Sequence, residues 1–227
     1  MNFLSRIFLK NQKDPLINVL TRTSNRPVGF SVNRNSVLSQ TYKNIRHIIS
    51  FDDEKDLGYL EKYNNLDLIK VTPIKRPNTE EQKFKGYKFA PYNLYCNALL
   101  SEVNEGWVIF LDDDDRFLET TALEQIANVL KRSNKKTLVL WQMQYPDGKL
   151  LPPLSHMESD MVKQNNIGAP CFTFHHKLGK NIKWDSWKAG DFRFLKKLWV
   201  KSIKRKWLYK ALIQLNNEGD FGNKNDI

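Results

Sequence analysis

Cysteine is nearly missing from this chain of 227 residues: Cys96 and Cys171 are the only two. By themselves they cannot form a disulfide framework or a thiolate zinc site, so a reducing, cytoplasmic compartment is the default expectation. No apolar stretch approaches the ~18 to 20 residues of a bilayer span. Residues 1–14 have too short an apolar part and no small-residue cleavage site, so no secretion signal is expected. Glycine (10) and proline (9) stand at ordinary levels, which excludes collagen-like and low-complexity architectures. No internal repeat is present. Against these absences stand 41% hydrophobic and 12% aromatic residues, enough for one sizeable core and too much for wholesale disorder.

Acidic residues are absent from residues 192–217, where eight cations lie: Arg193, Lys196, Lys197, Lys201, Lys204, Arg205, Lys206 and Lys210. Taking those eight from the formal charge of +11 leaves +3, so the basic character is local. Within the same stretch Leu195, Trp199, Ile203, Trp207, Ala211 and Leu215 recur every four residues, the spacing of one helix stripe. A basic amphipathic C-terminal helix and tail over residues 201–227 is therefore expected. It would either pack its stripe on the body or lie on an anionic membrane as a peripheral contact. Nucleic acid is a less favoured partner, because the charge is confined to one segment.

Apolar runs at residues 16–21, 45–51, 68–71, 107–111 and 137–144 read as strands. Between them, residues 28–40 (with Pro27 at the first turn), 90–103 and 121–132 read as helices. Strands alternating with helices of this length predict an α/β fold: a mostly parallel central sheet flanked by helices, with a C-terminal helical segment. After Tyr145, Pro146, Gly148, Pro152 and Pro153 break the alternation and introduce a more irregular half.

In open α/β sheets the ligand crevice lies beyond the carboxyl ends of the strands. Three predicted strands end in polar groups: Thr21-Arg22-Thr23, Asp52-Asp53, and Asp112 through Asp115. Two carboxylates ~5 Å apart repel by about 3 kcal/mol at an effective dielectric near 20. Four in a row leaving a buried strand need water, cations or raised pKa values. Mg²⁺ and Mn²⁺ are hard ions held by one or two carboxylates plus substrate phosphates, and either Asp112/Asp114 or Asp113/Asp115 offers such a pair. The competing interpretation is a solvated acidic turn capping the next helix.

Taken in order, INVLTRTSNRP, VLSQTYKNIRHIISFDD and YCNALLSEVNEGWVIFLDDDDRFLE resemble the family 2 glycosyltransferases of the GT-A (Rossmann-like) fold. The match covers residues 16–118 well and runs more loosely to residue 198. The resemblance implies a GT-A domain over residues 16–200, after an N-terminal extension of residues 1–15. Its nucleotide-binding half would be about 16–118 and its acceptor half about 119–200. It further implies a metal-dependent, inverting transfer of a sugar from a nucleoside-diphosphate sugar, UDP-linked in the first instance, to an acceptor hydroxyl of a glycan or glycoconjugate.

Position by position, the resemblance implies that Thr21, Thr23 and Arg26 line the nucleotide pocket and that Asp53 accepts from the base edge. Asp112 and Asp113 would sit near the ribose and pyrophosphate. Asp114 would be the first ligand of Mn²⁺ or Mg²⁺, with Asp112 and His176 as further candidates. Asn97 matches the family's asparagine, but Cys96 stands where arginine is usual, leaving Arg76 or Lys88 as substitutes. Asp191 matches the family's catalytic acidic position, though Gly190 replaces the glutamate before it. Trp184 and Trp187 either stack on an acceptor sugar or pack under a loop, and His47 reads as structural. Two other functions remain in play. A sugar nucleotidyltransferase is disfavoured because RTSNRP lacks the glycines of a phosphate-binding turn. A non-catalytic protein would bind anionic membrane or nucleic acid through the C-terminal segment.

Overall fold

The computed structural model describes residues 14–73 and 86–216. Most of the expected N-terminal extension, Arg76 and the last eleven residues lie outside the described residues. Among the described residues nine strands form one sheet: β1 Ile17–Arg22, β2 Ile45–Phe51, β3 Asp67–Lys70, β4 Trp107–Phe110, β5 Arg116–Phe117, β6 Thr137–Gln144, β7 Leu150–Leu151, β8 Phe172–His175 and β9 Lys204–Gln214. The helices are α1 Pro27–Leu38, α2 Leu57–Leu60, α3 Tyr95–Ser101, α4 Ala122–Leu130, α5 Leu154–Glu158, α6 His176–Gly179 and α7 Gly190–Lys201.

The sheet order is β3-β2-β1-β4-β8-β6-β9-β5, with β7 on β6. β3, β2, β1 and β4 are parallel, as the alternating pattern predicts. The second half is mixed: β8 runs antiparallel to both β4 and β6, while β9 is parallel to β6. The reversal at β4/β8 brings the carboxyl ends of β1 and β4 beside the start of β8, and a crevice opens there.

The central strands are apolar because both their faces are covered. Trp141, Phe110, Phe172 and Phe174 are among the largest fully buried side chains. α7 docks on this layer through Phe194, Leu195 and Leu198, all buried. The Phe194 ring lies 5.8 Å from Phe110, 5.6 Å from Phe174 and 5.1 Å from Trp184. That packing fixes where the N-terminus of α7 points, and hence Asp191.

The expected basic helix over residues 201–227 is corrected for the part the structure describes, through residue 216. α7 ends at Lys201, Ser202 is extended, and residues 204–214 form β9, paired in parallel with β6 and antiparallel with β5. A spacing of four is also twice a spacing of two, so the stripe could not separate helix from strand. The content could have: Trp207, Leu208, Tyr209 and Ile213 favour a pleated surface. Ile203, on the predicted stripe, is 67% exposed, whereas Leu212 and Ile213 are fully buried. Leu212→Ala is therefore expected to cost about 2 to 5 kcal/mol in chemical denaturation. Ile203→Ala should stay within about 0.5 kcal/mol. Equal costs at the two positions would contradict the strand.

Candidate functional site

The Asp run forms a tight turn after β4, closed by the Asp115 amide donating to the Asp112 carbonyl at 2.9 Å. Asn33 of α1 pins it, its amide donating to the carbonyls of Asp112 at 2.8 Å and Asp115 at 3.1 Å. α1 lies close because Gly29 faces the turn: a Cβ there would sit 3.2 Å from the Asp113 carbonyl oxygen.

Two guanidinium groups meet three of the four carboxylates. Arg22 forks onto Asp112, Nε to Oδ1 and Nη2 to Oδ2, both at 2.9 Å. Arg26 reaches Asp113 at 3.3 Å and Asp114 at 3.1 Å. Negative charge remains in excess. Burial pushes the Asp113 carboxyl up to about 7 against the pull of Arg26. Burial and the Asp112 charge raise Asp114, and burial with the Asp114 charge raises Asp115 well above the carboxylate range. Hard oxygen donors short of positive charge suit a divalent cation, and the residues fit one on that ground. Among the described residues no three acidic, histidine or cysteine side chains converge as a ready-made cage. A cation here would thus rely on one or two carboxylates and on substrate oxygens, and it would compete with the arginines.

A cleft of about 450 Å³ opens beside this turn, lined by Arg22, Asp112, Gly190 and Asp191. Asp115, Asn93, Tyr92 and Lys188 also line it. Burial works against the Arg22 charge, but Asp112 outweighs it and its pKa stands above the ordinary arginine value. Arg22 also donates to Asn93 Oδ1 at 3.2 Å and lies over the Tyr92 ring at 4.8 Å. Asp191 sits in the first turn of α7, with Oδ1 accepting from the Phe192 amide at 2.7 Å. Burial raises its pKa above the ordinary carboxylate value despite that bond and the nearby Arg22 charge. The result is a stronger base than an exposed aspartate.

Gly190 stands where a side chain has no room. A Cβ on Gly190 would lie 2.6 Å from Asn93 Nδ2, which donates to the Trp187 carbonyl at 2.8 Å. Gly190→Ala must therefore displace Asn93 and, through it, Arg22. It is expected to reduce turnover by more than tenfold with a smaller loss of thermal stability, measured side by side.

The remaining sequence-based assignments divide. Thr23 is buried beside the turn without lining the cleft, its hydroxyl between the Tyr59 hydroxyl at 2.9 Å and the Asp113 carboxylate. Thr21 is buried under the turn, donating to the Leu111 carbonyl at 2.7 Å, so it supports the site from beneath and does not line it. Asp53 is exposed and caps a short 3-10 turn, accepting from the Lys55 amide at 3.0 Å; its neighbour Asp52 is the inward carboxylate, held by the Tyr95 hydroxyl at 2.7 Å. Asn97 is not on the cleft wall. Both ends of its amide clamp the Trp184 main chain, at 3.1 and 2.9 Å. Asn93, one turn earlier, lines the cleft instead. Of the two tryptophans, Trp184 is buried against Phe110 and Phe194, while Trp187 packs on Phe89.

His176 is corrected as a metal candidate. Its amide donates to the Gly106 carbonyl and its neighbour His175 pairs with Trp107, at the start of β4. The five-residue step from there to Asp112 spans about 16 Å, so no ion can touch both ends. Arg22, Asn93 and Lys188 are among the cleft residues given no individual role by sequence. A signal existed only for Arg22, the middle of a polar strand end.

No protein-family profile and no curated protein matches the sequence. Solved structures do share the fold. TarS of S. aureus superposes with a TM-score of 0.67 at 20% identity, over 89% of this chain and 37% of that one. TarS 1–349 in complex with UDP-GlcNAc gives 0.66 at 19% identity, over 91% and 60%. The mannosyltransferase PcManGT from Pyrobaculum calidifontis, in complex with GDP-Man and Mn²⁺, gives 0.61 at 13% identity, over 97% and 64%. The chain thus spans less than two thirds of the length of these structures. At such identities the likeness establishes the fold, which is of the GT-A type.

Proposed function

We propose that this protein is a glycosyltransferase that moves a sugar from a nucleoside-diphosphate sugar to an acceptor hydroxyl with inversion at the anomeric carbon. The observation that carries this reading is one cleft lined both by Arg22 with Asp112 and Asp115 of the acidic turn and by Asp191 at the start of α7. The ligands of the fold neighbours, UDP-GlcNAc in one and GDP-Man with Mn²⁺ in another, support the donor class.

Asp191 takes the proton of the acceptor hydroxyl as that oxygen bonds to the anomeric carbon; the bond from that carbon to the donor phosphate breaks, and the nucleoside diphosphate leaves. One base on the side opposite the leaving group gives inversion. Arg22, tied to Asp112 and stacked on Tyr92, holds a fixed positive charge in the same cleft, suited to the negative charge that develops on the departing diphosphate. Arg26 and Thr23 keep Asp113 and Asp114 oriented. Asp114, with Asp112 beside it, would hold Mn²⁺ or Mg²⁺, which supplies Lewis-acid neutralisation of the diphosphate.

A panel of UDP-, GDP-, dTDP- and CDP-sugars, with and without Mn²⁺, tests this by donor hydrolysis and thermal shift. A matching nucleotide with Mn²⁺ should stabilise by about 3 kcal/mol at one hundred times its dissociation constant. It should exceed either ligand alone. No shift and no hydrolysis across the panel would sink the donor site.

A further inference from the structure

The pole of the molecule opposite the cleft is strongly basic. β6 and β9 begin there and β8 ends there, and these three strands are neighbours in the sheet. The chain segments at that edge carry Lys135 and Lys136 before β6, Lys177 and Lys180 in and after α6, Lys201 at the end of α7 and Lys204 at the start of β9. All six are exposed. Contacts tie the segments together: Lys201 Nζ donates to the Lys180 carbonyl at 3.1 Å, and the Ile203 amide to the Lys136 carbonyl at 3.0 Å. Among the described residues none of the six forms an ion pair; the nearby pair Arg205–Asp160 uses a different cation.

Two aliphatic side chains protrude among these lysines. Val200 is 82% exposed and Ile203 67%. The local potential is felt by the adjacent histidine pair, whose rings lie 4.6 Å apart: burial, then His176, Lys135 and Lys177, lower His175 to about 4. Burial, Lys177, Lys135 and Lys180 lower His176, with Glu105 the opposing charge.

We infer that this pole docks on an anionic lipid bilayer, with Val200 and Ile203 entering the headgroup layer between the lysines. Clustered lysines near a surface of acidic lipids gain from its negative potential within about one Debye length. An exposed aliphatic pair gains only from an apolar phase, which a lipid surface offers and a nucleic-acid backbone does not. Docking in this way leaves the cleft facing away from the bilayer. It uses the basic C-terminal segment, but through a strand end and a turn instead of a helix lying on the surface.

The test is flotation of the full chain with vesicles of phosphatidylcholine alone and with 30 mol% phosphatidylglycerol. Binding is expected only to the second, with loss of at least tenfold at 0.5 M NaCl. Reversing Lys135, Lys136, Lys201 and Lys204 to glutamate should abolish it. Val200→Ser with Ile203→Ser should weaken it severalfold at unchanged charge. Thermal melting of each variant guards against misfolding, since all six substitutions are at exposed positions. Retention by neutral vesicles, persistence in the charge-reversed variant, or indifference to the double serine change overturns the inference. Tighter binding to duplex DNA than to acidic vesicles, with the serine variant unaffected, would assign the pole to nucleic acid instead.

Discussion

Asp191→Asn is expected to bind the donor as the parent protein does, yet lose roughly 10²- to 10⁴-fold in turnover, about 3 to 5 kcal/mol of barrier. The substitution keeps size and polarity, and the Phe192 amide retains an acceptor oxygen. What disappears is the group that can take a proton. The pH profile separates this role from a structural one. A base works only when ionised, so turnover falls as pH falls through its pKa. Burial raises that pKa, so the acidic limb of kcat should lie above the range of an exposed aspartate. In Asp191→Asn the limb should vanish with the activity. A variant retaining more than a tenth of parental turnover, with its acidic limb in place, would remove Asp191 from catalysis.

The second large effect is on acid stability and belongs to His47. It is buried in β2, with Nε2 3.0 Å from Thr21 Oγ1 and Nδ1 3.1 Å from Arg34 Nη1. Arginine only donates, so Nδ1 must be the bare nitrogen and Nε2 carries the proton. Thr21 accepts that proton and donates its own to the Leu111 carbonyl, just before the acidic turn. Burial, helped by the Arg34 charge, lowers the His47 pKa from 6.5 to about 3. The unfolded chain therefore takes up a proton below about pH 6.5 that the folded chain refuses. Stability is fully present above that pH and declines as pH falls toward 3, by up to about 5 kcal/mol from this group. Denaturation of the parent and of His47→Gln at pH 7 and pH 4 should show a much smaller loss in the variant. Nuclear magnetic resonance gives an independent check, because the His47 ring should not titrate above pH 4. Titration near 6.5 in the folded protein would refute the network whatever the variant does.

This network also explains why Thr21 was legible as important but not for the right reason. Its place at a strand end marked it, while its partners, His47 on a neighbouring strand and Leu111 ninety residues away, are visible only once β1, β2 and β4 lie side by side. Asn97 and Asn93 show the same limit. Both lie in one apolar-polar segment, and only packing against the Trp184 loop decides which amide is engaged in structure and which faces the cleft.

The amino-acid sequence by itself determined the order of the longer strands and helices through residue 144, though not β5 or α2, because buried strands must be apolar and their ends must turn with polar residues. It also located the acidic turn, since four adjacent carboxylates after a buried strand demand compensation in any fold; Asp191 was marked only by the resemblance to a known family. Tertiary structure decided what supplies that compensation within the chain, namely Arg22 and Arg26. It also placed His176 at the far end of β4 and made a strand of residues 204–214. Those outcomes depend on which segments the closing sheet brings together, and contacts between distant residues leave no periodicity along the chain.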